Sequence, residues 1–113
     1  MPIQYVKGSF AKIGDRAFEF GVKNTEGSGK VKISASVFLD GKDLTGSSSI
    51  KINNENFKKI DQAMDLDITM GEVITIRMEP AESIPPGAHT IKILINVMYP
   101  LWASFESEFK VKL

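Results

Sequence analysis

The sequence predicts an all-β protein, a two-sheet antiparallel sandwich of immunoglobulin-like shape with one short helix. The last stretch, residues 105–113, alternates apolar and polar side chains with a period of two, as a half-buried strand does. The same alternation recurs along most of the chain, and turn signals rich in Gly, Pro, Asn and Asp separate the segments. Residues 1–113 are predicted to form a single domain, because no linker or internal repeat divides them.

In the first half of the chain, residues 18–23 and 31–39 alternate as strands on either side of a glycine-rich turn. Asp40-Gly41 then reverses the chain, because Asp-Gly favours the positive φ values of hairpin turns. Phe38 is an aromatic residue on the otherwise polar side of its strand. It is either covered by a loop or offered to a partner.

In the second half, a short strand is predicted over residues 47–53. The spacing of Phe57, Ile60, Ala63 and Met64 then predicts one or two helical turns from Phe57 to Met64. Strands resume after this segment, and two adjacent prolines and a glycine require a loop before the next strand. The later strands are expected at residues 66–68, 73–78, 90–99 and 105–113.

The corner that follows the strand over residues 90–99 is the main candidate for recognition. It gathers Tyr99, Leu101 and Trp102, the sole tryptophan, at a connection where side chains tend to point outward. Trp and Tyr are favoured anchors of protein interfaces, but the corner could equally be an aromatic plug that closes the end of the sandwich. We expect Trp102 to belong to an interface and Tyr99 to the core.

The residues give little reason to expect catalysis. His89, the sole histidine, could act as an acid or a base, or it could satisfy local backbone groups at the start of its strand. No cysteine is present, and the acids have no calcium-loop spacing, so neither a catalytic set nor a metal site is predicted in this chain.

Charge and hydropathy bear on partners and location. Fourteen basic residues balance fourteen acidic ones with interspersed signs, which argues against nucleic acid as a partner. The N-terminus lacks the features of a signal peptide, and no apolar run approaches the length of a membrane span. We therefore expect no membrane partner and a cytoplasmic location.

The order of features resembles the small β subunit of bacterial C-glycoside deglycosidases, through FEFGVK, VFLDGKDL, IKINNENFKKI and PPGAHTIKILINVMYP. The resemblance implies a lyase that cleaves the carbon-carbon bond of 3-oxo-C-glucosides of flavonoids or similar aglycones. In that family a barrel-type α subunit holds the divalent metal, commonly manganese, and the acid-base residues. The β subunit would then be a non-catalytic companion with no cofactor of its own, in an assembly that could contain several αβ pairs.

On this resemblance, His89, Tyr99, Leu101 and Trp102 are expected to contact the α subunit or the aglycone pocket, with Phe38 as a second patch. The main alternative is a free-standing carbohydrate or ligand-binding module that stacks a sugar on the same aromatic corner. A self-sufficient hydrolase is a third reading. It would require His89 and an acid to assemble a site across loops.

Overall fold

The computed structural model describes residues 3–25, 27–52, 56–60, 62–99 and 102–113. One short 3-10 turn covers Thr45–Ser47. Apart from turns and loops, the rest of this part of the chain is extended. Its strands are β1 (Ile3–Tyr5), β2 (Ala11–Ile13), β3 (Ala17–Asn24), β4 (Gly29–Leu39), β5 (Lys42–Asp43), β6 (Ser48–Ile52), β7 (Lys58–Lys59), β8 (Met64–Ile68), β9 (Val73–Met78), β10 (Ala88–Tyr99) and β11 (Ala103–Lys112).

Two antiparallel sheets pack face to face, which confirms the predicted sandwich. The first sheet has the order β1-β3-β9-β6-β7, and β2 pairs with the opposite end of β3. The second has the order β11-β10-β4-β5, and β8 pairs with the first half of β4. Residues at every second position of the long strands fill the space between the sheets, as alternation requires.

The centre of the second sheet is β10, which pairs along most of its length with both β4 and β11. Ile91 and Ile93 are fully buried and face the other sheet. Across β10, Ile93 is opposite Val37 on β4, which is also fully buried. At the side of the sandwich, Tyr5 of the first sheet stacks on Phe109 of β11, with ring centroids 4.1 Å apart. Aliphatic and aromatic contacts therefore join the two sheets into one core.

The prediction of a helix from Phe57 to Met64 is wrong. Lys58–Lys59 form a short strand on β6, and the chain then crosses from the first sheet to the second, where Met64 begins β8. Phe57 lies on the outer face of the first sheet, with the Arg77 guanidinium 4.2 Å from its ring centre. Ile60 is buried, whereas Ala63 is exposed. The apolar residues of this segment are spaced as in a helix, but the spacing arises because the connection between the sheets turns its residues toward different surfaces.

The hairpin turn after β4 is as expected. Asp40 has φ +50° and Gly41 has φ +83°, so both central residues adopt the left-handed conformation of a tight hairpin. The turn joins β4 to β5 and places the Asp40 carboxylate beside the beginning of β10. Asp40 therefore lies close to His89, which precedes Thr90 in β10.

Adjacent residues of β10 test the assignment of its two faces. Ile93 is fully buried, and its neighbour Leu94 faces outward and is half-buried. We expect Ile93→Ala to lower the free energy of unfolding by about 2–5 kcal/mol, since it leaves a cavity in the core. Leu94→Ala is the matched control and should cost less than half as much. Urea unfolding followed by circular dichroism measures both, and equal losses would contradict this orientation of β10.

Candidate functional site

The predicted site residues fall into two groups at opposite ends of β10. His89 lies at its beginning and Tyr99 at its end, which at the rise of an extended strand separates them by roughly 30 Å. Trp102 follows Tyr99 just before β11, and Phe38 is opposite Lys92 near the His89 end. Leu101 lies outside the described residues. The structure therefore separates His89 from Tyr99 and Trp102, which the sequence had grouped in one contact surface with Phe38 as a second patch.

At the end of β10 the two aromatic side chains are open to solvent. Trp102 is 80% exposed and Tyr99 is 60% exposed, the highest values among the large apolar side chains that the structure describes. The expectation that Tyr99 belongs to the core is wrong. The register on β4 shifts between Val97, opposite Ile33, and Tyr99, opposite Lys32. This β-bulge moves Tyr99 from the inner face, where strict alternation would put it, to the outer one.

A shallow depression of about 360 Å³ lies beside Tyr99. Its floor and walls come from paired segments of β4 and β8, with Lys30 opposite Asp67 across the two strands. The depression combines an aromatic ring with exposed carboxylates and an ammonium group. Its lining residues are Lys30, Val31, Asp65, Leu66, Asp67 and Tyr99.

At the other end, His89 is held between two acceptors. Its Nδ1 donates to Asp40 Oδ2 and its Nε2 donates to the Pro85 carbonyl oxygen, each at 2.6 Å. The other oxygen of Asp40 accepts the backbone N–H of Thr90 at 2.8 Å. The imidazole is buried, with 7% of its surface exposed. Asp40 thus ties the β4–β5 turn and the 79–87 loop to the beginning of β10.

The electrostatics of this pair favour the charged form of both groups. The hydrogen bond that His89 donates to Asp40, and then the one that it donates to the Pro85 carbonyl, raises the pKa of His89 above its ordinary 6.5. The hydrogen bonds from His89 and from the Thr90 backbone lower the pKa of Asp40 below 3.8. Because both ring nitrogens donate, the imidazolium has no lone pair with which to accept a proton. His89 is therefore a structural clamp in this geometry, although it and Ser83 line one shallow depression at this end of the sandwich.

Phe38 forms a second, smaller surface on the outer face of the second sheet. Its ring is half-buried, and the Lys92 ammonium lies 5.8 Å from the ring centre. Lys92 also pairs with Glu106 at 3.2 Å. The Lys92 side chain therefore lies over part of the ring.

Asp40 is the residue of this region that the sequence reasoning treated only as part of a turn. Its partner His89 is 49 positions away, and the pairing of β4 with β10 brings them together. A buried histidine requires a polar partner, so a search for acids in turns next to the predicted strand was the available signal. Among the described residues, no cluster of three or more His, Asp or Glu side chains could hold a metal ion. No described helix has the length and hydropathy of a membrane span.

Comparison with known proteins does not assign this chain to a family. No protein-family model matches the chain, and no curated protein matches it. It is similar to a conjugative transposon lipoprotein from Bacteroides eggerthii, with a TM-score of 0.46 and 13% identity over 96% of this chain and 92% of that one. A lipoprotein from Bacteroides thetaiotaomicron has the same TM-score and the same identity, over 95% of this chain and 76% of that one. Similarity this distant carries no weight for function or location, and neither protein is described as a deglycosidase subunit.

The His89 clamp should make stability depend on pH. A raised histidine pKa contributes stability that is complete below about 6.5 and is lost as the pH rises through the folded value. The lowered pKa of Asp40 contributes stability that is present above 3.8 and is lost as the pH falls through the folded value. The pair should therefore stabilise the fold most between about pH 4 and pH 6.5.

The matched variants Asp40→Asn and His89→Gln test this window. Asparagine tolerates the positive φ of position 40 and keeps one acceptor oxygen, so Asp40→Asn removes the charge with little change of shape. We expect each variant to lower the free energy of unfolding by about 1–3 kcal/mol near pH 5.5 and by less at pH 9. Urea unfolding midpoints between pH 5.5 and pH 9 measure the loss of stability in each variant relative to wild type. A difference from wild type that is constant with pH would contradict the charged pair.

Proposed function

We propose that this protein is a non-catalytic binding subunit that attaches to a partner protein through the end of the sandwich carrying Tyr99 and Trp102. The exposure of these two rings is the observation that carries the proposal. An isolated tryptophan that is four-fifths exposed leaves a large apolar area in water, and covering it with a partner recovers that free energy. Trp and Tyr are also the side chains most enriched among residues that dominate binding energies.

The state of His89 supports a non-catalytic role. Hydrolysis by a serine needs a neutral histidine nitrogen within reach of the hydroxyl. Here Nε2 is engaged by the Pro85 carbonyl and Nδ1 by Asp40, and the ring is buried. A self-sufficient hydrolase would first have to break this clamp, so the geometry favours binding over chemistry.

For the partner, the proposal follows the sequence resemblance to the β subunit of C-glycoside deglycosidases. The partner would be the barrel-type α subunit, which would hold the divalent metal and perform the carbon-carbon bond cleavage. This chain would stabilise that barrel and shield the aglycone pocket from water, which assists reactions that develop carbanion character. Such a complex would work in the cytoplasm.

Co-expression with a barrel-type α subunit tests the assignment. The two chains should migrate together on a sizing column, and this chain alone should have no lyase activity. Trp102→Ala should weaken the complex by about 2 kcal/mol or more, roughly thirtyfold in the dissociation constant. The matched control is Ile13→Ala, which removes another exposed apolar side chain, on β2 of the other sheet. Separate migration of the wild-type chains would refute the assignment.

The depression beside Tyr99 favours a second candidate, a carbohydrate-binding module. An open tyrosine ring can stack on the apolar face of a sugar, while Asp65, Asp67 and Lys30 could bind its hydroxyl groups. A glycan screen of the isolated protein distinguishes the candidates. Binding that is lost in Tyr99→Ala and retained in Ile13→Ala would favour the module, and no binding to any glycan would exclude it.

A further inference from the structure

The outer edge of β11 is the longest strand edge in the described part of the chain that no other strand covers. β11 has ten residues and pairs with β10 on one side, and it is the terminal strand of its sheet. An uncovered edge offers a row of backbone N–H and C=O groups to another strand. Its residues decide whether it repels such a strand or accepts one.

The hydrogen-bond pattern identifies which backbone groups point outward. Leu113 and Gly87 exchange both of their backbone hydrogen bonds, at 2.9 and 3.3 Å. Because an antiparallel ladder alternates, every second residue back from Leu113 bonds to β10, and the intervening residues turn their backbone groups away from it. The outward-pointing set therefore includes Glu106, Glu108, Lys110 and Lys112, whose side chains lie on the exposed face of the sheet.

The order of these charges, two acids followed by two lysines, is complementary to itself when reversed. An antiparallel copy of β11 centred on Phe109 would place Glu106 opposite Lys112 and Glu108 opposite Lys110. Centring the copy on Glu108 or on Lys110 instead would put two like charges opposite each other, which is unfavourable. In the register that matches every charge, the outward-pointing residues also exchange their free backbone hydrogen bonds.

The same register also has a consequence for the inner face of β11. It brings Phe109 against its own copy, and Phe109 already stacks on Tyr5 with nearly parallel rings. β1, the neighbouring edge of the other sheet, has three residues and contacts β11 from the inner side. The formal net charge of zero adds no overall repulsion between copies. Pairing from Phe105 to Leu113 leaves Trp102 outside the interface.

We propose that two copies of this chain associate through β11 in an antiparallel, two-fold symmetric pair, which joins their second sheets into one continuous sheet. The interface is isologous, because the Glu108–Lys110 pair forms twice, once on each side of the two-fold axis. Each protein dimer would present two Tyr99–Trp102 ends. This inference is independent of the proposed function, since it uses a different surface.

Light scattering on a sizing column, over a range of protein concentrations, measures the association. The wild-type protein should reach twice the 12.5 kDa mass of one chain. Glu108→Lys and Lys110→Glu each create like-charge pairs in the proposed register, and each should raise the dissociation constant roughly tenfold or more. Lys12→Glu, a charge reversal on exposed β2, is the matched control and should leave it unchanged.

Restoration of the lost pairing is the decisive measurement. The double variant Glu108→Lys/Lys110→Glu again has opposite charges at every pair and should dimerise like the wild type. An equimolar mixture of the two single variants should do the same by forming mixed dimers. A monomer at every concentration, a dimer insensitive to both single variants, or a failure of both restorations would overturn the proposal. Circular dichroism confirms that each variant is folded before its mass is interpreted.

Discussion

The register of β10 against its two neighbours is the constraint on which the rest of this structure depends. Ile91 and Ile93 must face the core, and a shift of one residue would turn them to water and bring Lys92 and Leu94 inside. Burial of these side chains therefore fixes the register on both β4 and β11. The positions of the surfaces at both ends of β10 follow from this register.

At the beginning of β10, the register puts His89 next to the turn after β4. The Asp40 carboxylate can then accept from both the imidazole and the Thr90 backbone. A buried imidazole without acceptors would cost more than it contributes, so the clamp makes a polar residue tolerable at the rim of an apolar core. The same hydrogen bonds that stabilise the loop occupy both ring nitrogens.

At the other end of β10, a single extra residue changes which face of the sheet Tyr99 occupies. The bulge between Val97 and Tyr99 interrupts the alternation, and the next aromatic side chain emerges on the outside. Trp102 follows it at the turn into β11, also exposed. Local irregularity in a strongly paired strand thus places exposed aromatic surface at one end of the sandwich.

Much of the fold could be predicted from the chain because alternation with a period of two is a local property. It identified β3, β4, β9, β10 and β11, and the Asp40-Gly41 turn follows from backbone sterics. The helix from Phe57 to Met64 failed because the apolar spacing there reflects a crossover between sheets, which no local period can distinguish from a helical face.

The candidate site was less predictable. The sequence determined that Trp102 lies at a corner and that His89 opens a strand, since both follow from strand and turn boundaries. The strand predicted over residues 90–99 also implies that His89 and Trp102 lie far apart. Only the tertiary structure decided that Asp40 is the partner of His89 and that Tyr99 faces water. These facts depend on which strands are neighbours and where one of them bulges. Contacts between residues distant in sequence set both, and no local pattern of side chains records them.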